Sequence, residues 1–360
     1  MKQVWAGSML AAGLAFGTMV GAAQQTAPAA GIGAKAPNAV TPPAAGQAPA
    51  QAKTPLQLQS LDPSTRADPF PPVNPKYFTA TTPTVATVDS YLHALLGWDA
   101  NRIWRVEAIQ KTAAPGVSKV IVYVSDRAAN SKVQTAVFFI TPDGKHALAD
   151  TAVNPFGEKP YADISAMLKQ RADGPFHGNG AKDLELVEFA DLQCPHCKDA
   201  QAVMKRLVDD FPKAHIVYQN FPLTEIHPFA FKAAAFGVCA AKKSNDVFFT
   251  YAQAVYDTQG ALTADTGDQT LKDAAAKAGL DPAATAACAA TDATKGEVES
   301  SIKLAEDVGV TETPMIAING RLLPLSIPYE TLKSIIIFQA GLDGAGDAAV
   351  TAAGHGLIGR

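Results

Sequence analysis

Glu188-Phe189-Ala190-Asp191-Leu192-Gln193-Cys194-Pro195-His196-Cys197-Lys198 is the stretch on which the reading of the whole chain turns. Leu184 to Phe189 is a strand-like run, and Val203, Met204, Leu207 and Val208 recur afterwards at helical spacing. The two cysteines therefore stand where a strand ends and a helix opens. Cys-x-x-Cys sets two sulfurs one helical turn apart when the first residue caps the helix, so they can close a small ring. Free backbone N–H groups and the macrodipole at that end stabilise a thiolate at Cys194. Pro195 and His196 lie between the sulfurs, and His196 can add positive charge or a hydrogen bond to the thiolate. Cys197 is expected deeper in the helix, as the resolving thiol. A stabilised thiolate is a good leaving group and makes the disulfide form oxidising. The competing readings are a structural disulfide or half a zinc site. A zinc site would want a second Cys or His pair at similar spacing, whereas the remaining cysteines, Cys239 and Cys288, stand singly.

Working outward, the order after Gly174, Gly178 and Gly180, which read as a hinge, is strand, Cys-Pro-His-Cys, helix to about 210, and strand over 215–219. A helical stretch follows over about 227–308, then strands at 315–318 and 321–325 around an Asn319-Gly320 turn, and a helix from 328 to about 340. This is an α/β, thioredoxin-like topology with an inserted helical subdomain, over 174–340. Upstream, Val85, Val88, Leu92 and Leu95 predict a helix closed by Gly97. Trp104, Val106 and Ala108 alternate with Arg105 and Glu107, and two further strand-like runs precede the Pro142-Asp143-Gly144 turn. Ile164, Met167 and Leu168 suggest a closing helix. Residues 82–173 thus read as a small α+β domain with a mostly antiparallel sheet, suited to dimerisation or substrate positioning.

The three motifs taken in order resemble the DsbA family of thioredoxin-fold thiol–disulfide oxidoreductases, over about residues 182–340. They are the stretch quoted above, Phe221-Pro222-Leu223 with His227-Pro228, and Gly309-Val310-Thr311-Glu312-Thr313-Pro314 before Asn319-Gly320. The resemblance implies that Cys194 attacks and Cys197 resolves. It implies that Pro314 is a cis-proline beside the active-site pair, leaving the backbone of Thr313 to pair with a substrate strand. It implies that Glu188 is a buried acid that shuttles the proton of the resolving thiol, the other reading being an exposed strand charge. It also implies a structural disulfide between Cys239 and Cys288, against the alternative of two free thiols. His227 could be a site residue, but reads rather as a packing or helix-start residue. Threonine at 313 occurs in family members that isomerise or reduce, whereas Cys-Pro-His-Cys favours oxidation. The direction of exchange is therefore open between an oxidase and an isomerase or reductase. A non-enzymatic metal-binding or scaffolding module is a third reading.

The ends of the chain set the compartment. Lys2 precedes the uncharged run Val4–Val20, which ends in Val20-Gly21-Ala22-Ala23, so residues 1–23 read as a cleaved signal peptide and the protein as periplasmic or otherwise exported. Residues 24–81 are rich in Ala, Pro and Gln and read as a disordered linker. Residues 341–360 read as a flexible tail. The chain carries 30 basic and 34 acidic residues, a net charge of −4, which gives no footprint for nucleic acid. The partners implied are exported protein substrates and a membrane redox partner, either a quinone-linked oxidase or an electron donor, with a homodimer as a further expectation. No cofactor is implied.

Overall fold

The computed structural model describes residues 69–128, 130–150 and 152–346. The expected signal segment at 1–23, most of the linker and the end of the tail lie outside the described residues. From Pro72 onward the described chain belongs to one unit containing two five-stranded sheets.

The first sheet follows helix α1 (Val85–Leu96). The Thr84 hydroxyl caps this helix by accepting from the Thr87 N–H, and Gly97 ends it. Strands β1 (Arg102–Lys111), β2 (Ser118–Asp126), β3 (Gln134–Ile140), β4 (His146–Ala149) and β5 (Ala152–Pro155) then form an antiparallel meander in chain order. Two local expectations need correction. The alternation in β1 breaks at a bulge between Val106 and Ala108, so Glu107 turns inward and its carboxylate accepts from Arg105 at 2.9 Å. Order also begins before residue 82: the N–H groups of Thr79 and Ala80 both donate to the Ile109 carbonyl. These backbone bonds hold a polar, proline-rich segment that composition alone reads as linker.

Helix α2 (Ala162–Arg171) leads into the second sheet, made of β6 (Phe176–Gly178), β7 (Glu185–Ala190), β8 (His215–Asn220), β9 (Met315–Ile318) and β10 (Arg321–Pro324). The order is β10-β9-β7-β8-β6, with β7 parallel to β8 and antiparallel to β9. Every residue of β7 is buried, as expected for a central strand covered on both faces. Helices α3 (Pro195–Asp210) and α9 (Tyr329–Leu342) cover one face, where Ala200, Met204 and Leu207 meet Leu186, Ile216, Leu332 and Ile336. The other face carries Val187, Phe189, Val217 and Ala317 against Leu168 of α2 and Leu304 of α8 (Asp292–Asp307). Helix α2 therefore packs on this second sheet, and the junction between the two modules falls ahead of the expected 173/174 boundary.

Between β8 and β9 lie α4 (Ala230–Ala241), α5 (Asn245–Asp257), α6 (Gly267–Lys277) and α7 (Pro282–Ala289), followed by α8. A disulfide between Cys239 and Cys288, S–S 2.05 Å, ties α4 to α7. The result is an α/β thioredoxin-like fold with an inserted helical subdomain, preceded by the antiparallel sheet.

Of the three glycines expected to form a hinge, Gly180 stands in open space, but Gly174 and Gly178 do not serve as hinge points. A Cβ on Gly174 would collide with the Tyr218 carbonyl, and one on Gly178, whose φ is +83°, would collide with the Ala214 carbonyl. These glycines let β6 approach β8 closely. The modules are also joined elsewhere. The buried Arg321 guanidinium donates to the carbonyls of Ala94 and Leu95 at 3.0 and 2.8 Å, capping the C-terminus of α1. Helix α9 extends to Leu342 and Ala345 is buried, so the ordered chain runs past the expected end at 340.

Candidate active site

Cys194 is the N-cap of α3 and Pro195 occupies its first turn, where a missing N–H costs nothing. The loop enters that cap straight from the end of β7, and Asp191 fixes its course. The Asp191 carboxylate is fully buried. One oxygen accepts from the Gln193 N–H at 2.7 Å; the other accepts from the Leu223 N–H at 2.9 Å and pairs with His227 Nδ1 at 2.7 Å. His227 thus pins the Phe221-Pro222-Leu223 loop to the Cys-Pro-His-Cys loop through Asp191. Two glutamines add to the clamp. Gln193 donates to Leu262 O and accepts from the Phe229 N–H, while Gln259 donates to Leu192 O and Cys194 O at 2.9 and 3.0 Å.

Cys194 and Cys197 are both buried and unbridged, at 4 % and 0 % exposure. The sulfur of Cys194 is 3.7 Å from the Thr313 carbonyl oxygen, and the Asp191 N–H donates to Cys197 Sγ at 3.4 Å. The Cys194 thiol is drawn down to about 5. The hydrogen bond from Cys197 contributes most and burial opposes it; Thr313 and the N–H groups of Cys197 and His196 add to the lowering. The Cys197 thiol is pushed up by its burial and by the neighbouring Cys194. The two thiols thus divide into a ready thiolate and a protonated reserve. The His196 side chain and Pro195 are exposed, so His196 acts on the thiolate through its backbone N–H in this arrangement.

The Thr313–Pro314 peptide is cis. The register of β7 against β9, Phe189 opposite Met315, sets residues 313–314 beside the strand end from which Cys194 emerges. Glu188 is 3 % exposed and faces α3, on the side of β7 shared with Leu186. Its carboxyl accepts from Gln201 Nε2 at 3.1 Å, and burial raises it to about 7. Of the two readings of Glu188, the structure excludes the exposed strand charge.

Cys194, Pro195, His196, Cys197, Thr313, Pro314 and Glu188 therefore converge, while Cys239 and Cys288 lie apart in the helical insertion. Asp191, Gln193, Gln201 and Gln259 were not legible as site residues. Asp191 and Gln193 stand inside the quoted motif, but their partners are distant in the chain. Among the described residues no group of three or more His, Cys, Asp or Glu is arranged to hold a metal ion.

Residues 170–337 match the family model described as Thioredoxin. Among curated proteins, the chain is 33 % identical over 69 residues to the Na(+)/H(+) antiporter NhaA 3 of Salinispora tropica, 19 % of this chain and 11 % of that protein. The chain spans about a tenth of the length of the curated relatives it matches. No helix of the described residues is long and apolar enough to cross a membrane. Among solved structures, a periplasmic thioredoxin-like protein from Salmonella enterica serovar Typhimurium is 23 % identical, with 49 % of this chain and 96 % of that chain covered and a TM-score of 0.42. The thiol-disulfide exchange protein alpha-DsbA2 from Wolbachia pipientis is 20 % identical, with 48 % and 94 % covered and a TM-score of 0.42.

Proposed function

We propose that this chain, whose residues 170–337 match the family model described as Thioredoxin, is an exported DsbA-like thiol–disulfide oxidoreductase that forms disulfides in other proteins. The observation that carries the reading is the division of the buried pair into a lowered Cys194 and a raised Cys197 at one helix N-terminus. A substrate thiolate attacks Cys194 Sγ, the Cys194–Cys197 bond breaks, and the electron pair leaves on Cys197, which takes up a proton. The second substrate thiolate then attacks the sulfur bonded to Cys194. The substrate disulfide forms and Cys194 leaves as the stabilised thiolate. Glu188 serves as the proton store for Cys197, and the backbone of Thr313 pairs with the substrate strand. A membrane partner reoxidises the pair.

The low Cys194 value favours oxidation, because it stabilises the reduced product. Thr313 favours an isomerase or reductase, which would instead be kept reduced by an electron donor. We assign the module of α1 and the antiparallel sheet to substrate positioning, with pairing of two chains as the alternative that light scattering decides. The test is oxidation of a reduced, unfolded dithiol protein by stoichiometric oxidised enzyme, with Cys194→Ala as control. Rescue of scrambled substrate without net oxidation would move the assignment to isomerase. A Cys197→Ala variant that traps no substrate protein on Cys194 would remove the exchange reading altogether.

A further inference from the structure

We infer that Gln201 is a positioning residue for the proton that leaves Cys197, holding Glu188 against the first turn of α3 while a cavity behind Glu188 carries the proton to solvent. The inference rests on the relay reading of Glu188 above and adds to it the residue and the route.

Gln201 lies one helical turn beyond Cys197. Its Nε2 donates to the Cys197 carbonyl at 3.0 Å and to Glu188 Oε1 at 3.1 Å, so one amide spans the resolving cysteine and the buried acid. No other side chain among the described residues makes both contacts. Without that bridge the Glu188 carboxyl, buried on β7, has no hydrogen bond holding it toward α3. Behind it lies a cavity of about 560 Å³ lined by Glu188, Gln201 and Tyr218, with Lys205, Gln253 and His177 among the other lining residues. Lys205 and Gln253 are exposed, so the lining runs from the buried acid to the surface. Such a space is roomy enough for water, and Glu188, Gln201, Lys205 and His177 offer it polar partners.

In a mixed disulfide the partner sulfur is bonded to Cys194 Sγ. Cys197 gives its proton to the Glu188 carboxylate. Cys197 Sγ then attacks Cys194 Sγ, the bond to the partner sulfur breaks, and the partner leaves as a thiolate with the electron pair. Glu188 passes its proton to the cavity water. The step needs Glu188 ionised, so its rate climbs with pH through the Glu188 midpoint. Other titratable groups face Glu188 or the cavity. Tyr218 and Tyr256 are buried and stay neutral, their phenols pushed far up by burial; Lys205, Asp209 and His177 line the cavity.

The test follows collapse of the mixed disulfide formed when reduced full-length protein attacks oxidised glutathione. Acid quench and mass spectrometry count the Cys194–glutathione adduct from pH 5 to 9. Gln201→Met removes the donated hydrogen bond and is expected to move the rising limb up by about one pH unit. Gln201→Lys restores a donor, now charged, and is expected to move it down. Opposite shifts separate positioning from a general loosening of α3, which would move both variants alike. Glu188→Gln is expected to abolish the limb. Should it do so while the two Gln201 variants shift together or not at all, the role of Gln201 is overturned and the relay stands. Should Glu188→Gln leave the limb in place, the relay reading falls, and this inference falls with it.

Discussion

The midpoint potential of the Cys194–Cys197 pair should fall by only about 30 mV per pH unit between pH 6 and 8. A two-electron couple that takes up two protons falls by about 60 mV per unit. Here reduction takes up one: Cys197, pushed up by burial, is protonated throughout the window, while Cys194, held at about 5, is already a thiolate. The sign follows from the lowered value of Cys194. Its stabilisation of the reduced form is fully present above the ordinary thiol value of 9.0 and is lost as pH falls through about 5. At pH 7 it amounts to about a hundredfold, or about 2.7 kcal/mol, which makes the disulfide more oxidising by about 60 mV. The assay equilibrates the protein with glutathione buffers at each pH and counts free thiols after acid quench. Running it in parallel on Glu188→Gln removes the titration of that acid near pH 7. Thiolate absorbance at 240 nm supplies an independent midpoint for Cys194. A slope of about 60 mV per unit in both proteins, with no thiolate absorbance below pH 8, would falsify the division of labour between the two sulfurs.

Three further outcomes are expected. Asp191→Ala leaves the Leu223 and Gln193 N–H groups and His227 without their acceptor, and should cost about 2–4 kcal/mol in urea unfolding, with Asp191→Asn losing less; equal stability for all three proteins would show that the pin is not structural. Arg321→Met should cost about 2–3 kcal/mol and speed amide exchange in α1 before it affects α3, because the lost donors cap α1. Uniform exchange across both sheets would contradict this account of the module junction. Replacing Cys239 and Cys288 together by serine opens a loop of 49 residues and should cost about 4 kcal/mol, while leaving the Cys194 titration where it was. A shifted Cys194 midpoint would mean that the insertion tunes the site as well as bracing it.

Proline and histidine between two cysteines, a strand before them and apolar residues at helical spacing after them were enough to place the helix N-terminus and to point to redox chemistry there. Those features are local: the cap, the first turn and the sulfur spacing all fall within a few residues. The antiparallel character of the first sheet was legible for the same reason, through alternation and turn residues, and it misled at the β1 bulge, which alternation cannot show. What tertiary structure alone decided depends on residues far apart in the chain. Glu188 lies on a strand whose neighbours on both faces are buried, so only the packing of α3 against β7 and the bond from Gln201 show that it faces α3. Asp191 reaches His227, Gln259 reaches Cys194 and Arg321 reaches Ala94 across gaps that no period spans. Gly174 and Gly178 illustrate the difference most directly. A glycine needed for flexibility and a glycine needed for close approach are the same letter, and only the carbonyls of Tyr218 and Ala214 standing against them tell which is which.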